Sequence, residues 1–154
     1  MPAYLYQPKK SLKYFANKYF KNPFYSYSVL NFFYRKKLVF FFIFRVIKIK
    51  KFSIKIIRII DFYGNIKKEY SIYNSIQEFL KEGNYEYIDF PSKGIEQELV
   101  NIGFTKDKNN FLPNLFEPYI NKKTSRNYCI LKNNYKSRIV MVKGDGDGDR
   151  PSLI

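Results

Sequence analysis

The sequence predicts an α+β protein built on a mixed β-sheet. Two observations predict it: three apolar runs separated by short basic turns, and then a strand–helix–strand–helix pattern between residues 54 and 102. Short turns favour an antiparallel meander, whereas a helix between two strands favours parallel pairing. We expect a single domain over residues 1–143, because a chain of 154 residues suits one core. Residues 144–154 are expected to form a tail rich in glycine and aspartate.

The first part of the chain is predicted to form a short helix and three strands. Apolar residues recur at helical spacing in Lys9–Phe20, and Pro23 follows the end of this helix. Arg35-Lys36-Lys37 is a plausible hairpin turn. The apolar start of the second strand predicts burial on both faces. The three strands are predicted over Tyr25–Tyr34, Leu38–Lys48 and Ile54–Phe62.

The second part of the chain is predicted to alternate between helix and strand. A helix over Tyr70–Glu82 should end at a left-handed Gly83, and a second helix over Gly94–Ile102 should end at Gly103. The expected apolar stripe of the first helix is Tyr70, Tyr73, Ile76 and Leu80. Further strands are predicted over Tyr85–Phe90, Leu115–Ile120, Asn127–Leu131 and Arg138–Val142.

The charge of the chain is unevenly distributed. Residues 1–60 contain 14 of the 28 lysines and arginines, and all 13 acidic residues lie from Asp61 onward. Such asymmetry indicates an anionic partner such as nucleic acid, a membrane surface or a phosphorylated ligand. The alternative is lysine enrichment from an AT-rich genome combined with ordinary solvated strand faces, which also explains the abundance of Phe, Tyr, Asn and Ile.

Composition excludes several kinds of site. The chain has no histidine and one cysteine, Cys129, so histidine-based nucleophile systems, histidine metal sites and an internal disulfide are excluded. Cys129 is interpreted as a small buried side chain. The apolar run Leu38–Phe44 is too short to span a bilayer, and the N-terminus lacks a signal-peptide pattern. We therefore expect a cytoplasmic protein with no bound metal and no transmembrane segment.

Several stretches resemble a known superfamily. Arg58–Phe62, Tyr87–Phe90, the pair Gly103-Phe104 and the stretch Gly144–Pro151 are similar to parts of Gcn5-related N-acetyltransferase (GNAT)-like proteins of bacteria. The resemblance implies a GNAT-like sheet that lacks its first elements, so that the chain corresponds to the C-terminal part of such a domain. It also implies acyl-CoA-dependent transfer to a small amine or amino sugar, in an active or degenerate form, with acetyl-CoA or another acyl-CoA as cofactor.

In that superfamily the acyl-CoA lies where the central strand and the next parallel strand separate. Here the cleft would fall between Ile59–Tyr63 and Tyr87–Phe90, and helix N-terminal amides would hold the pyrophosphate. The loop carries one glycine where the superfamily pattern has two. The residues that the resemblance implies for cofactor binding are Ile60, Phe62, Gly64, Asn65, Lys67 and Lys68.

Catalytic roles fall to carboxylates and tyrosines because histidine is absent. Asp61 and Asp89 are predicted near the carboxyl ends of adjacent parallel strands, which form the usual ligand-binding edge of an open sheet. Either could act as the base that accepts the amine proton, and Tyr63 could donate a proton to the leaving thiolate. The alternative is that these carboxylates cap the next helices or pair with Arg58 or Lys93. Glu117 is a further candidate.

Two other interpretations remain open. The tail acids at 145, 147 and 149 match half of a calcium-binding loop but lack its later glutamate, which favours a mobile tail or a turn packed on a basic strand face. A non-enzymatic module that holds nucleic acid or another anionic surface with residues 1–60 is the rival to the enzyme. Interleaved aromatic and lysine residues support it, although aromatic residues at strand spacing are more often core.

Overall fold

The computed structural model describes residues 6, 8–67, 72–106 and 138–145, except for the side chain of Lys51. In these residues the main feature is a four-stranded sheet in which neighbouring strands follow the chain order. The first three strands pair antiparallel, and the fourth pairs parallel with the third. The predicted α+β class and mixed sheet are confirmed. The strands are β1 (Ser28–Tyr34), β2 (Lys37–Ile49), β3 (Ile54–Gly64) and β4 (Ile88–Asp89).

Helices cover both faces of this sheet. Helix α1 (Leu12–Phe15) continues into a π-helical turn, Ala16–Phe20, and Ser11 caps it by accepting a hydrogen bond from the backbone N–H of Tyr14. The other helices are α2 (Tyr73–Glu82) and α3 (Glu96–Asn101). A small second sheet pairs β5 (Ser92–Lys93) with β6 (Met141–Val142), and a 3₁₀ turn, Lys143–Asp145, follows β6.

Strand β2 contributes to the core on both of its faces. All five residues from Phe40 to Phe44 are buried, which confirms the prediction from the continuous apolar run. Phe40, Phe42 and Phe44 belong to the larger core cluster, together with residues of α2 and α3. The smaller cluster lies under α1 and its π-helical turn and contains Phe15, Tyr19, Phe41, Ile43, Ile60 and Tyr63.

A β-bulge changes the alternation of β3. Its pairing with β2 passes from Phe44↔Ile59 directly to Ile43↔Asp61, so Ile60 is an extra residue without a partner in the register. Ile57 and Ile59 lie in the larger cluster before the bulge, and Phe62 lies there after it. As a result, the consecutive residues Ile60 and Asp61 both meet the α1 segment.

Different types of residue occupy the left-handed positions of the two hairpin turns. Tyr34 pairs with Lys37, and the two residues between them have positive φ: 48° at Arg35 and 64° at Lys36. The connection from β2 to β3 is a 3₁₀ turn whose left-handed residue is Ser53, with a φ of 55°. Both turns were expected at these positions.

Helix α2 departs from its prediction in two details. Gly83 has a φ of −80°, so it is not the left-handed cap; that conformation belongs to Asn84, with a φ of 50°. Asparagine accepts this conformation better than most residues do. Tyr73 is 51% exposed, whereas Ile76 is buried and Leu80 partly buried, as predicted; Ile72 and Phe79 complete the face that packs on the larger cluster. Tyr70 lies outside the described residues.

The remaining elements agree with the prediction in part. The stripe Ile95, Leu99 and Ile102 of α3 is buried, and Gly103 has the expected positive φ of 105°. Strand β4 is shorter than predicted, although Glu86 N–H also bonds to the Lys55 carbonyl. The strands predicted over Leu115–Ile120 and Asn127–Leu131, with Glu117 and Cys129, lie outside the described residues, as do the tail residues from 146 onward.

Candidate functional site

Strand β3 carries the two polar positions around which the candidate site is built. Asp61 has no exposed side-chain surface, and it lies immediately after the bulge. Its Oδ1 atom contacts Lys10 Nζ at 2.5 Å and accepts a hydrogen bond from the Phe62 N–H at 2.8 Å. Its Oδ2 atom accepts hydrogen bonds from Tyr19 Oη at 2.7 Å and Tyr14 Oη at 3.2 Å. Four donors therefore converge on one buried carboxylate.

A second carboxylate approaches this group from the C-terminal part of the chain. Asp145 Oδ1 lies 2.9 Å from Lys10 Nζ, and its Oδ2 atom accepts a hydrogen bond from the Val142 N–H at 2.8 Å. Lys10 thus bridges two carboxylates that lie far apart in sequence. We call Lys10, Tyr14, Tyr19, Asp61 and Asp145 the Asp61 cluster.

In the turn that carries Asp145, Gly144 lies directly against Tyr19, Ile60 and Asp61. It is buried, and its carbonyl accepts a hydrogen bond from Lys18 Nζ. A Cβ atom at this position would overlap the Tyr19 hydroxyl and press on the Ile60 carbonyl oxygen and the Asp61 carboxylate. A larger residue would have to displace the Tyr19 hydroxyl, which is one of the donors to Asp61, so the glycine lets the turn lie close to the cluster.

Burial is the largest cause of the pKa shifts of Asp61, Tyr14 and Tyr19. Desolvation raises the pKa of Asp61 above its ordinary value, and the nearby Asp145 charge acts in the same direction, while Lys10 and the Tyr19 hydroxyl oppose the shift. Desolvation also raises the pKa values of Tyr14 and Tyr19, and the Asp61 charge adds to both. Both tyrosines are therefore hydrogen-bond donors across the physiological range.

Asp89 forms a separate ion pair with Arg58. Arg58 Nη2 lies 2.5 Å from Asp89 Oδ2, and Arg58 Nε lies 3.1 Å and 3.0 Å from the two carboxylate oxygens. Both side chains are buried, and the two residues are partners in the parallel β3–β4 register. The sequence alternative that paired Asp89 with Arg58 is confirmed. Asp61 and Asp89 thus belong to two different buried ion pairs, each with its own cation.

Tyr63, the expected proton donor, lies within the smaller core cluster. Its ring stacks on Phe41 at a centroid distance of 5.6 Å and meets Phe15 edge-on at 5.7 Å, and only 8% of the residue is exposed. Ile60 and Phe62, which the resemblance implied for cofactor binding, are fully buried, with Phe62 in the larger cluster beside Phe90. These three side chains contribute to packing on opposite sides of the sheet.

The loop expected to hold a pyrophosphate packs against β2. Gly64 is buried with a φ of 108°, and a Cβ there would overlap Val39 and Phe40, so this glycine allows a close strand approach. Asn65 bonds through its N–H to the Val39 carbonyl, and its Oδ1 accepts a hydrogen bond from Tyr6 at 3.2 Å. Lys67 is exposed, and Lys68 lies outside the described residues.

The surface outside the Asp61 cluster is strongly basic over the first 60 residues. Eight cations there are exposed, and none of them forms an ion pair with another described residue: Lys9, Lys13, Lys21, Arg35, Lys36, Lys37, Lys48 and Lys50. An open groove at the β2–β3 turn is lined by two of them, Lys48 and Lys50, and by Lys55. The Lys55 ammonium also bonds to the Gly83 carbonyl and lies 4.9 Å from the Tyr85 ring centroid.

Large aromatic side chains accompany these cations. Phe20, Phe24, Phe33 and Phe52 are each more than half exposed, at 56%, 63%, 64% and 52%. Phe20 directly precedes Lys21, and Phe33 lies two residues before Arg35. In the described residues there is no group of three or more carboxylate, cysteine or histidine side chains suited to a metal ion. No helix in this part of the chain is long and apolar enough to cross a membrane.

Sequence reasoning missed most of the Asp61 cluster. Asp61 was identified as a candidate, but its partners Lys10, Tyr14 and Tyr19 come from a segment 42 to 51 residues earlier. The helical spacing of Phe15 and Tyr19 indicated a buried face, and a tail turn on a basic surface had been considered. No local pattern connected these features with the carboxylate.

The Arg58–Asp89 pair predicts a large stability cost when one partner is neutralised. We expect Asp89→Asn to lower the free energy of unfolding by about 3–5 kcal/mol, because it leaves a buried guanidinium without its counter-charge. The double variant Arg58→Met/Asp89→Leu should recover much of this loss. Chemical denaturation provides the measurement. Glu78→Gln is the matched control, because Glu78 is an exposed residue of α2, where substitutions change stability by no more than about 0.5 kcal/mol. An Asp89→Asn protein as stable as the wild type would contradict the structural role.

The raised pKa of Asp61 predicts a pH dependence of stability. The folded protein binds this proton more tightly than the unfolded chain does, so the contribution of Asp61 is complete below the ordinary aspartate pKa. It is lost as pH rises through the higher pKa of the folded state. Relative to Asp61→Asn, the wild type should therefore lose stability with rising pH in that window. Melting temperatures across acidic to neutral pH test this, and the opposite slope would show a lowered pKa.

Comparisons with known proteins supply no relative for this chain. No protein-family model matches it, no curated protein matches it, and no solved structure matches it. The resemblance to Gcn5-related N-acetyltransferases therefore rests on the short sequence stretches and on the expected order of elements.

Proposed function

We propose that this protein is a non-enzymatic binding module that holds nucleic acid on the basic surface of its first 60 residues. The observation that carries the proposal is the set of eight exposed cations in that segment, none of which has an ion-pair partner among the described residues. No acidic residue occurs before Asp61, so nothing within the segment offsets this charge. A surface of one sign attracts a polyanion over long range.

The exposed aromatic rings favour nucleic acid over a simple anion. Phe20, Phe24 and Phe33 lie in the same segment as the cations, and each ring is more than half exposed. Proteins that bind single strands combine cations for the phosphates with aromatic rings on which bases stack. A small anion would need neither the exposed rings nor a spread of lysines over several elements.

The positions of the carboxylates also support a binding role. Asp61 and Asp89 are buried and are already engaged by Lys10 and Arg58. A general base must come within hydrogen-bond reach of a substrate proton. Binding to the exposed surface requires no such access, and it leaves both buried ion pairs undisturbed.

The binding proposal predicts salt-dependent association with a labelled single-stranded oligonucleotide. The logarithm of the association constant should fall linearly with the logarithm of salt concentration, with a slope of about −0.7 for each phosphate contacted. Fluorescence anisotropy at several salt concentrations measures this. Lys81→Gln is the matched control, since Lys81 is an exposed cation on α2 outside the basic segment and should leave the slope unchanged. No binding at low salt would refute the proposal.

A second candidate function is acyl transfer from acyl-CoA, as the resemblance implies. One observation favours it: β3 and β4 form only two register pairs, Ile57↔Ile88 and Arg58↔Asp89, while β3 continues to Gly64. Beyond Asp89 the chain turns away, and Phe90 packs on Phe42 and Phe62. Ligands of open sheets bind where neighbouring strands separate. Beside Ile60 and Asp61, however, the space is occupied by Gly144.

Acetyl-CoA separates the two candidates. An acyltransferase should be stabilised by about 2.7 kcal/mol at a cofactor concentration 100 times its dissociation constant, because the cofactor binds only the folded state. A thermal-shift titration with acetyl-CoA, using CoA-free buffer as the control, gives the measurement. A melting temperature that stays constant to saturating cofactor would exclude acyl transfer and leave the binding module.

A further inference from the structure

We propose that the principal contact site for nucleic acid is the tip of the β1–β2 hairpin, and that its ligand is a single strand. The hairpin tip comprises residues 33–37, Phe33-Tyr34-Arg35-Lys36-Lys37. This inference rests on the proposed function and makes it specific: it names the site, the strandedness of the ligand and the role of each side chain. Phe33 stacks on a base, and the three cations neutralise phosphates.

The backbone of the tip adopts a conformation that is unfavourable for the residues it contains. Tyr34 pairs with Lys37, so Arg35 and Lys36 form a two-residue turn, and both have positive φ. Turns of this kind strongly favour Asn-Gly, because residues with a Cβ atom are strained in the left-handed region. The chain instead places two long cationic side chains there. Strained residues concentrate where a side chain serves a purpose other than stability.

The β2–β3 turn provides the contrast within the same sheet. Its left-handed position is filled by Ser53, a short polar residue. The nearby Lys55 bonds to the Gly83 carbonyl and lies against the Tyr85 ring. Lys48 and Lys50 beside this turn are exposed, as Arg35 and Lys36 are, but neither of them has a positive φ. Among the described residues, cations occupy left-handed backbone positions only at the tip.

The tip also exposes an aromatic ring, that of Phe33. Phe32 is buried and stacks on Phe40 at a centroid distance of 4.4 Å, whereas the next residue, Phe33, is 64% exposed. The register shift between these two residues accompanies this change. Within the part of the chain that the structure describes, strand β1 is at the edge of the sheet. The Arg35 guanidinium lies 5.3 Å from the ring centroid of Tyr34, whose side chain is half-buried.

Together these features fit a single strand better than a duplex or a membrane. Bases in a duplex are already stacked on one another, so an exposed ring gains a partner only from an unstacked base. A membrane anchor needs a broad apolar face beside its cations. The tip has one exposed phenylalanine next to three cations, a ratio suited to one base and the phosphates around it.

The sharpest test is the double variant Arg35→Asn/Lys36→Gly. It installs the preferred turn residues, so the melting temperature should rise, while affinity for fluorescein-labelled oligothymidylate of about 15 nucleotides should fall. The magnitude of the salt slope should decrease by about 1.4, corresponding to two lost phosphate contacts. A gain in stability with a loss of binding distinguishes a functional tip from a damaged fold.

Two further variants assign the roles within the site. Phe33→Ala should weaken binding about fivefold or more with an unchanged salt slope, because stacking releases no counterions. Lys48→Gln/Lys50→Gln removes the same charge at the opposite end of β2 and should leave most of the affinity. Phe33 is exposed, so its substitution is compatible with folding, which circular dichroism checks.

The possible outcomes test separately the site, the strandedness of the ligand and the proposed function. Equal losses in the tip variant and in the Lys48/Lys50 variant would overturn the tip as the site while leaving the proposed function in place. Equal or tighter binding of the matching duplex would overturn the single-strand assignment. Binding to phosphatidylserine vesicles in the absence of oligonucleotide binding would overturn both the tip assignment and the proposed function in favour of a membrane surface.

Discussion

The structure depends on the full burial of one carboxylate, that of Asp61. Removing this group from water is costly unless each of its oxygens is satisfied. Lys10, Tyr14 and Tyr19 supply the donors, and all three come from the segment that covers one face of the sheet. That segment is therefore held in place by electrostatics as well as by the packing of Phe15. The basic N-terminal part of the chain is joined to the first acidic residue of the sequence.

The bulge in β3 makes this arrangement possible. If β3 kept strict alternation through Ile60, Asp61 would lie on the side of Ile57 and Ile59, which is the larger apolar cluster. The buried charges of Arg58 and Asp89 are also compensated, but by each other, because the two residues are direct partners in the β3–β4 register. Strand β3 thus carries a buried cation, Arg58, and a buried anion, Asp61, and these two residues do not pair with each other. Exposed charge remains on the turns and on the α1 segment.

The sequence predicts local elements well and long-range partners poorly. The apolar runs located β2 and β3 within two residues at each end, and the spacing of Ile95, Leu99 and Ile102 identified the buried face of α3. Asn84 replaced Gly83 as the left-handed residue because several residue types tolerate that conformation at a helix end. The bulge at Ile60 and the link between Lys10 and Asp61 depend on tertiary packing. No local periodicity encodes either of them.

The place of Gly144 has a consequence for the order of folding during synthesis. The β1–β2–β3 meander consists of neighbouring segments and can pair as soon as residue 64 is free of the ribosome. The turn that completes the surroundings of Asp61 arrives only with Gly144 and Asp145, about 80 residues later. Until then Lys10 has one carboxylate instead of two, and the Tyr19 hydroxyl is not covered by the turn. The meander can therefore be paired in the growing chain while Asp61 and Tyr19 still lack the turn that covers them.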